Sequence, residues 1–336
     1  MKIKLLLAAT DYDYLEHISK IVAKKYCNDF DISISSQLNH LTNFLASNRV
    51  DVALLEPNMV KEIPLDHINI PLLLIDESSS LPSNLSNIKK IRKYQRISAI
   101  IADISELCAE IPPGPGGKHS FGKKARLTAV WSPAGGSGKT TVALAYAAHK
   151  VSKGSDVVYL SLENFSSVPA YFIEKGKSMS TVFSKLDSNL KILLRGIRIQ
   201  DSGSGIYYFT EPDNYDDINV LTVEDIELLL SGAMDDIDEL VVDLSSQCDE
   251  RIQKILELAD TVMLVVDTSD TSQVKLKQFL CQHNILLRIQ TKCVLINNKG
   301  ARVTESSIYK IISLPLVRST DPVSIYMTLS GNNFEW

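Results

Sequence analysis

Short apolar runs alternate along this chain with segments in which apolar residues recur at helical spacing. The first run covers residues 2–9, and within residues 11–23 Leu15, Ile18 and Val22 then fall on one helical face. The same strand-then-helix order recurs through both halves of the chain. That order is typical of parallel sheets with helices on both faces, so we predict an α/β fold with doubly wound, mostly parallel sheets.

The first third of the chain is predicted to form one small domain, residues 1–110. Residues 111–124, IPPGPGGKHSFGKK, then lose apolar periodicity and are rich in proline and glycine, which is typical of a linker. The elements predicted before this linker are strands at 2–9, 31–35, 51–55, 70–75 and 89–92, with helices at 11–23, 38–46 and 98–108.

The remaining residues, 125–336, are predicted to form a second α/β domain. Apolar runs again mark its strands, and helical periodicity marks the segments between them. The predicted strands are 126–131, 156–160, 205–210, 239–243, 261–266 and 291–296. One helix is predicted to begin at 139, three are predicted at 178–194, 223–230 and 247–258, and a further one is predicted to follow the strand 261–266 and to end near 280.

One stretch of this second domain carries the clearest chemistry. The strand 126–131 is followed by a loop with three glycines, and Lys139 and Thr140 then open a helix. Glycines let successive N–H groups face one concave point, and the helix start adds free N–H groups and a partial positive charge. The arrangement predicts a triphosphate site, with Lys139 between the outer phosphates and the Thr140 hydroxyl on Mg²⁺. The motif GxxxxGK[ST] would need glycine where this chain has Pro133, so a plain glycine-rich turn is the alternative.

Polar residues at other strand ends are expected to meet this loop, because ligands of open α/β sheets bind at the carboxyl ends of strands. Asp243 is predicted to hold a water on Mg²⁺ opposite Thr140, unless it only caps a helix. Glu163 is predicted to orient an attacking water, unless it is a solvent-facing loop carboxylate. Asn297 or Asn298 is predicted to read the adenine edge, unless it is a turn asparagine.

Composition narrows the class of protein. The chain has 336 residues and a net charge of −5, so no global field attracts nucleic acid. Its five cysteines are scattered and contain no CxxC pair, which predicts a reduced, cytosolic protein. Its six histidines show no ligand spacing either, so no structural metal is expected. No apolar run approaches the length of a membrane span, so no integral membrane association is expected.

Residues 133–141, PAGGSGKTT, resemble the deviant Walker A motif, KGGxGKT, of the ParA/MinD ATPases. The resemblance covers residues 125 to about 320 and implies a P-loop ATPase domain that pairs as a homodimer. The other matching features are Asp243 in VVDLS, the pair Asn298–Lys299 and the pair Leu314–Pro315.

This resemblance implies ATP and Mg²⁺ as cofactors, with Mg²⁺ held at Thr140 and Asp243 and with catalytic roles for Lys139 and Glu163. The implied nucleotide contacts are Ala134, Gly135, Gly136, Ser137, Gly138, Lys139, Thr140, Thr141, Asp243, Asn297, Asn298 and Pro315.

Two departures from the family pattern predict slow or absent hydrolysis. The leading lysine of the motif, which reaches across the dimer to the partner's phosphate, falls on Ala134. Such a cation stabilises phosphoryl-transfer transition states. Glu163 is one methylene longer than the family's catalytic aspartate, and Ser161 replaces a second one.

The first domain resembles a response-regulator receiver domain without its phosphorylation chemistry. The acidic pair falls on Ala9 and Thr10, the phospho-acceptor aspartate on Glu56, the hydroxyl position on Asp76, and the lysine site on Lys93. A docking or dimerisation module is therefore expected rather than a phosphorylated switch.

A degenerate receiver ahead of a ParA/MinD-like domain resembles TadZ/CpaE-type proteins of pilus assembly. The resemblance implies a cytoplasmic positioning protein, recruited to the cell pole or to the inner membrane face, whose receiver-like domain docks onto pilus or secretion proteins. The alternatives are an active ATPase in partitioning and a kinase-like or amide-forming enzyme on the same fold.

Overall fold

The computed structural model describes residues 2–60, 63–76, 85, 87–109, 125–186, 189–303, 310–331 and 336. The described residues form two compact units, one within Met1–Lys118 and the other within His119–Trp336. The predicted linker at 111–124 lies outside the described residues, so the domain boundary stays a prediction.

The N-terminal unit is built on a sheet of five described strands in the order β2-β1-β3-β4-β5, with every neighbouring pair parallel. This confirms the predicted α/β class for the first domain. Its strands are β1 Ile3–Ala8, β2 Phe30–Ser35, β3 Val50–Leu55, β4 Ile68–Ile75 and β5 Lys89–Arg92, and its helices are α1 Tyr12–Lys25, α2 Leu38–Ser47, α3 Pro57–Val60 and α4 Ile97–Ala109.

The C-terminal unit is built on a sheet of eight described strands in the order β13-β12-β11-β6-β10-β7-β9-β8. The neighbouring strands are parallel except for β8 and β9, which form an antiparallel pair. The strands are β6 Arg126–Trp131, β7 Val157–Leu162, β8 Ile199–Gln200, β9 Tyr207–Tyr208, β10 Glu239–Leu244, β11 Thr261–Val266, β12 Cys293–Asn297 and β13 Lys310–Ser313.

The helices of this unit flank the sheet, and among the described helices none is both long and apolar enough to cross a bilayer. They are α5 Lys139–Ser152, α6 Ser180–Phe183, α7 Leu190–Ile197, α8 Asp216–Asn219, α9 Val223–Ala233, α10 Glu250–Leu258, α11 Asp270–Leu280, α12 His283–Ile289 and α13 Pro322–Ser330.

The core of the C-terminal unit lies around β6, β10 and α5. All six residues of β10 are buried, because a central strand of a parallel sheet is covered on both faces. Helix α5 packs against β7 and β10 and is covered in turn by α13, whose Tyr326 and Leu329 are buried. The helix that follows the glycine-rich loop is therefore held on both sides.

Several predicted elements differ from the structure in extent. The single helix predicted at 178–194 is two helices, α6 and α7, because α7 packs on α9 and α6 on α8. The predicted strand 205–210 is reduced to β9. The helix predicted from 247 begins at Glu250, because the Asp249 side chain accepts a hydrogen bond from the Ile252 N–H and caps it.

The described cysteines fall into three groups by exposure. Cys27 in the N-terminal unit and Cys281 in the C-terminal unit are exposed, whereas Cys248 is half-buried. Cys108 and Cys293 are buried, and burial raises the pKa of each thiol to about 12.

Candidate functional site

The loop between β6 and α5 has the backbone shape that its glycines allow. Gly136 has φ of 75° and Gly138 has φ of 92°, a region that residues with a side chain rarely adopt. A Cβ atom at Gly138 would also collide with the amide nitrogen of Asn298. At Gly135 and Gly136 an added Cβ meets no atom within 4 Å, so this side of the loop is open.

Asp243, near the end of β10, faces the first turn of α5. The Thr140 hydroxyl donates a hydrogen bond of 2.6 Å to Asp243 Oδ2, and the Tyr159 hydroxyl donates one of 2.9 Å to the same oxygen. Asp243 is fully buried, and its Oδ1 has no hydrogen-bond partner among the described residues. The structure therefore brings together the two residues predicted to bind Mg²⁺ and adds Tyr159, which was not predicted because it lies within the apolar run DVVYL at 156–160.

The electrostatics of Asp243 favour a cation beside it. Burial and the negative charge of Glu163 raise the pKa of Asp243 well above its usual range, although hydrogen bonds from Thr140 and Tyr159 oppose the rise. Buried carboxylates require a counter-charge, and hydroxyl and carboxylate oxygens are the ligands that Mg²⁺ prefers. The unpartnered oxygen of Asp243 and the Thr140 hydroxyl therefore fit a magnesium ion.

Lys139, the first residue of α5, turns its ammonium group toward this cluster. Its Nζ donates to Ser246 Oγ at 3.1 Å and lies 3.6 Å from Glu163 Oε1. The Lys139 side chain is buried, which limits the water that could screen its charge. The structure thus places Lys139 beside Glu163, as the strand-end argument predicts, and adds Ser246, which no local pattern indicated.

Asn297 ends β12 and Asn298 follows it, and the two asparagines lie in different surroundings. The Asn297 amide donates to the Val303 carbonyl at 2.9 Å, and its oxygen accepts from the Val303 N–H at 3.2 Å, so it holds its own turn. The Asn298 amide instead donates to the Ser137 carbonyl of the glycine-rich loop at 2.9 Å. The adenine-reading role predicted for one of them stays a prediction.

Four further residues were predicted to contact the nucleotide: Ala134, Ser137, Thr141 and Pro315. Ala134 is buried, and its N–H donates to Ser132 Oγ at 3.1 Å. The side chain of Thr141 shares a hydrogen bond with Tyr171. Ser137 is buried and its hydroxyl has no partner among the described residues. Pro315 is exposed and follows Leu314, which is buried just after β13 ends.

A second polar cluster lies at the carboxyl edge of the N-terminal sheet. Lys93 Nζ donates to Glu56 Oε1 at 2.7 Å, and the N–H and hydroxyl of Thr10 donate to Oε2 at 2.7 and 2.8 Å. The rings of Tyr14 and Tyr94 lie 5.2 and 4.9 Å from Lys93 Nζ. Three of the positions that correspond to receiver chemistry, Thr10, Glu56 and Lys93, therefore do meet, with Glu56 and Lys93 as an ion pair beside two aromatic rings.

This ion pair predicts the pH dependence of the N-terminal unit. Burial alone would raise the pKa of Glu56 and lower that of Lys93, but their mutual hydrogen bond and charge, with Thr10 on Glu56, outweigh burial. The pKa of Glu56 is therefore lowered, and the stability it contributes is lost in acid as pH falls through that pKa. The pKa of Lys93 is raised, so its contribution is lost only as pH rises through it in strong alkali.

We expect hydrogen exchange at β1 and β3 of the full chain to be slowest around neutral pH, after correction for the intrinsic exchange rate. In the Glu56→Gln variant the acid-side loss of protection should be smaller than in the wild type. Equal acid-side losses in the two proteins would contradict this assignment.

Comparison with known proteins separates the two units. Residues 1–109 match the family model described as TadZ-like, receiver domain. None of the curated proteins gives a significant match. A solved structure of a ParA family ATPase from Chlorobium tepidum TLS is similar at a TM-score of 0.51 and 20% identity, over 61% of this chain and 90% of that one.

Two further solved structures are similar at lower scores. A protein from Borrelia burgdorferi B31 described as a plasmid partition protein, bound to AMPPNP, has a TM-score of 0.47 and 15% identity, over 62% of this chain and 97% of that one. The septum site-determining protein MinD from Pyrococcus horikoshii OT3, complexed with Mg-ADP, has a TM-score of 0.46 and 10% identity, over 61% and 94%. This chain thus joins an N-terminal unit that matches the TadZ-like receiver domain to a C-terminal unit with the fold of a ParA family ATPase.

Proposed function

We propose that this chain binds ATP with Mg²⁺ in its C-terminal unit and uses the bound nucleotide to control the pairing of two copies. The observation that carries the proposal is the convergence of a glycine-shaped loop, the buried Lys139 ammonium and the Thr140–Asp243 pair at one edge of the sheet. Each of these serves a different part of a magnesium triphosphate.

The loop and Lys139 account for the phosphates. Free N–H groups at the start of α5 and in the loop offer hydrogen bonds and a partial positive charge to an anion. The Lys139 ammonium, now 3.6 Å from Glu163, supplies a full charge a short side-chain movement away. Thr140 and Asp243 would hold Mg²⁺, which neutralises developing phosphate charge when it is bound.

Slow or absent hydrolysis is the second part of the proposal. The resemblance implies a lysine at position 134 that would supply a cation to each shared site of a dimer, and this chain has Ala134 instead. Loss of a charge that acts at the transition state lowers the rate of hydrolysis more than the affinity for ATP. Glu163 would orient the attacking water. Its Oε1 lies 3.6 Å from Lys139 Nζ, so the same carboxylate would both pair with Lys139 and position the water. A protein that holds ATP without consuming it acts as a two-state bias on dimerisation.

The N-terminal unit is proposed to dock this dimer onto a pilus or secretion assembly. Its acceptor position is filled by the Glu56–Lys93 pair, which leaves no aspartate to phosphorylate there. The unit then works as a fixed binding module, and the protein is proposed to be cytoplasmic, with recruitment to the cell pole or the inner membrane face.

Binding and turnover of ATP by the full chain, with mass measured by light scattering with and without Mg-ATP, test the proposal. We expect binding, a nucleotide-dependent increase from monomer to dimer mass, and turnover below about 0.1 per second, well under typical enzyme rates. Absence of ATP binding would overturn the proposal, and rapid turnover would overturn its slow-switch part.

Replacing Ala134 with lysine should strengthen the ATP-dependent dimer or raise turnover by about tenfold or more, because it restores a cation to each shared site. Ala134 is buried, so the new side chain must extend along the loop to bring its ammonium to the open face. Ala134→Met is the matched control, since it has similar bulk and no charge. An equal effect of both variants would show that bulk and not charge is responsible.

A further inference from the structure

Two adjacent side chains just after β12 donate hydrogen bonds to backbone carbonyls of the glycine-rich loop. Asn298 Nδ2 donates to the Ser137 carbonyl at 2.9 Å, and Lys299 Nζ donates to the Gly136 carbonyl at 2.6 Å. The two carbonyls belong to consecutive residues of the loop. Asn298 is buried, so its hydrogen bond is shielded from competing water.

Because the peptide bond is planar, these two hydrogen bonds also set the direction of the neighbouring N–H groups. In a planar trans peptide the carbonyl and the following N–H point in opposite directions. With the Gly136 and Ser137 carbonyls directed at Lys299 and Asn298, the N–H groups of Ser137 and Gly138 are directed away from them. Those two N–H groups belong to the part of the loop proposed to receive phosphate. Fixing the carbonyls therefore fixes two of the donors.

Asn298 and Lys299 are themselves held in place by contacts with the end of β11 and the residue after it. Lys299 Nζ lies 3.3 Å from Asp267 Oδ2, just after the end of β11, and the Asn298 N–H donates to the Val266 carbonyl at 2.8 Å. Burial alone would raise the pKa of Asp267, but hydrogen bonds from Ser269 and Lys299 lower it below its usual value. Lys299 has φ of 55°, a conformation that costs about 1 kcal/mol in a residue with a side chain.

We propose that Asn298 and Lys299 are positioning residues for phosphate binding, which hold the N–H groups of the loop in place from behind and act regardless of the base. The inference rests on the proposed nucleotide function. It assigns to Asn298 a role in the loop that needs no contact with adenine, because its Nδ2 already donates to a backbone carbonyl of the loop.

The affinities of ATP, GTP and inorganic tripolyphosphate for the full chain provide the test. Tripolyphosphate has no base, so it reports on the loop alone. In Asn298→Ala the affinities of all three should fall by about tenfold, because a hydrogen bond to a backbone carbonyl is lost. The preference for ATP over GTP should stay as in the wild type.

Lys299→Met should lower the affinities of the same three ligands by about three- to tenfold. Lys299→Arg should keep most of the wild-type affinity, since it keeps a cationic donor. Arg302→Met is the matched control, because it removes an exposed cation from the same turn. Thermal unfolding without nucleotide shows whether each variant is folded.

The outcomes separate the two proposals. If the wild type binds none of the three ligands, the nucleotide function itself fails. If the wild type binds and Asn298→Ala loses only ATP while tripolyphosphate is unaffected, Asn298 reads the base and the inference is wrong. Unchanged affinities in both the Asn298→Ala and Lys299→Met variants would likewise overturn it.

Discussion

Replacing Lys139 with methionine is expected to weaken ATP binding by about 100-fold, because a charge-assisted contact to phosphate is worth about 1.5–3 kcal/mol. Methionine keeps the apolar stem of the lysine, so the packing at the start of α5 should survive. The side chain is buried, and little solvent screens the charge that is lost. Calorimetric titration of the full chain with Mg-ATP measures the effect.

Lys153→Met is the control for this experiment. Lys153 is exposed just after the last turn of α5, so the substitution removes the same charge from the far end of the same helix. Its affinity for ATP should stay within about twofold of the wild type, since exposed charges at that separation are screened. Equal ATP affinity for Lys139→Met and the wild type would remove the basis of the proposed function.

The second large effect is expected in the N-terminal unit. Lys93→Met should destabilise that unit by about 3 kcal/mol, because removing one partner of a buried ion pair leaves the other charge uncompensated. Side-chain exposure is only 5% for Lys93 and 12% for Glu56. Hydrogen exchange resolved to β1 and β3 of the full chain should show amide opening about 100-fold more frequent.

Two variants make this prediction specific. The double variant Glu56→Gln with Lys93→Met should recover much of the lost protection, because no buried charge remains. Lys90→Met removes an exposed lysine from the same strand, β5, and should change exchange little. If Lys93→Met behaves like Lys90→Met, the ion pair does not hold this edge of the sheet together.

The central strands were predictable because strands that are buried on both faces appear in the sequence as uninterrupted apolar runs. The run TVMLVV at 261–266 coincides with β11, and GKTT marks the start of α5. The carboxyl-end rule also predicted that Thr140 and Asp243 would approach each other, and their oxygens lie 2.6 Å apart.

Side-chain partners from distant segments were not predictable in the same way. Tyr159 reads as one more apolar residue of a buried strand, yet its hydroxyl holds Asp243. Ser246 and Lys299 lie in turns with no periodicity, and only the packed sheet brings them to the loop. Helix α13 lacks a strong amphipathic pattern, and its place on α5 is set by tertiary contact rather than by local preference.

The distribution of thiols gives each unit its own chemical handle. A maleimide dye reacts with thiolate, so the exposed Cys27 and Cys281 should label first, whereas Cys108 and Cys293, with pKa values near 12, should stay unmodified in the folded chain. With Cys248 replaced by serine, a donor and an acceptor fluorophore would occupy one site in each half. Energy transfer between them would then report whether ATP changes the separation of the two halves within a single molecule.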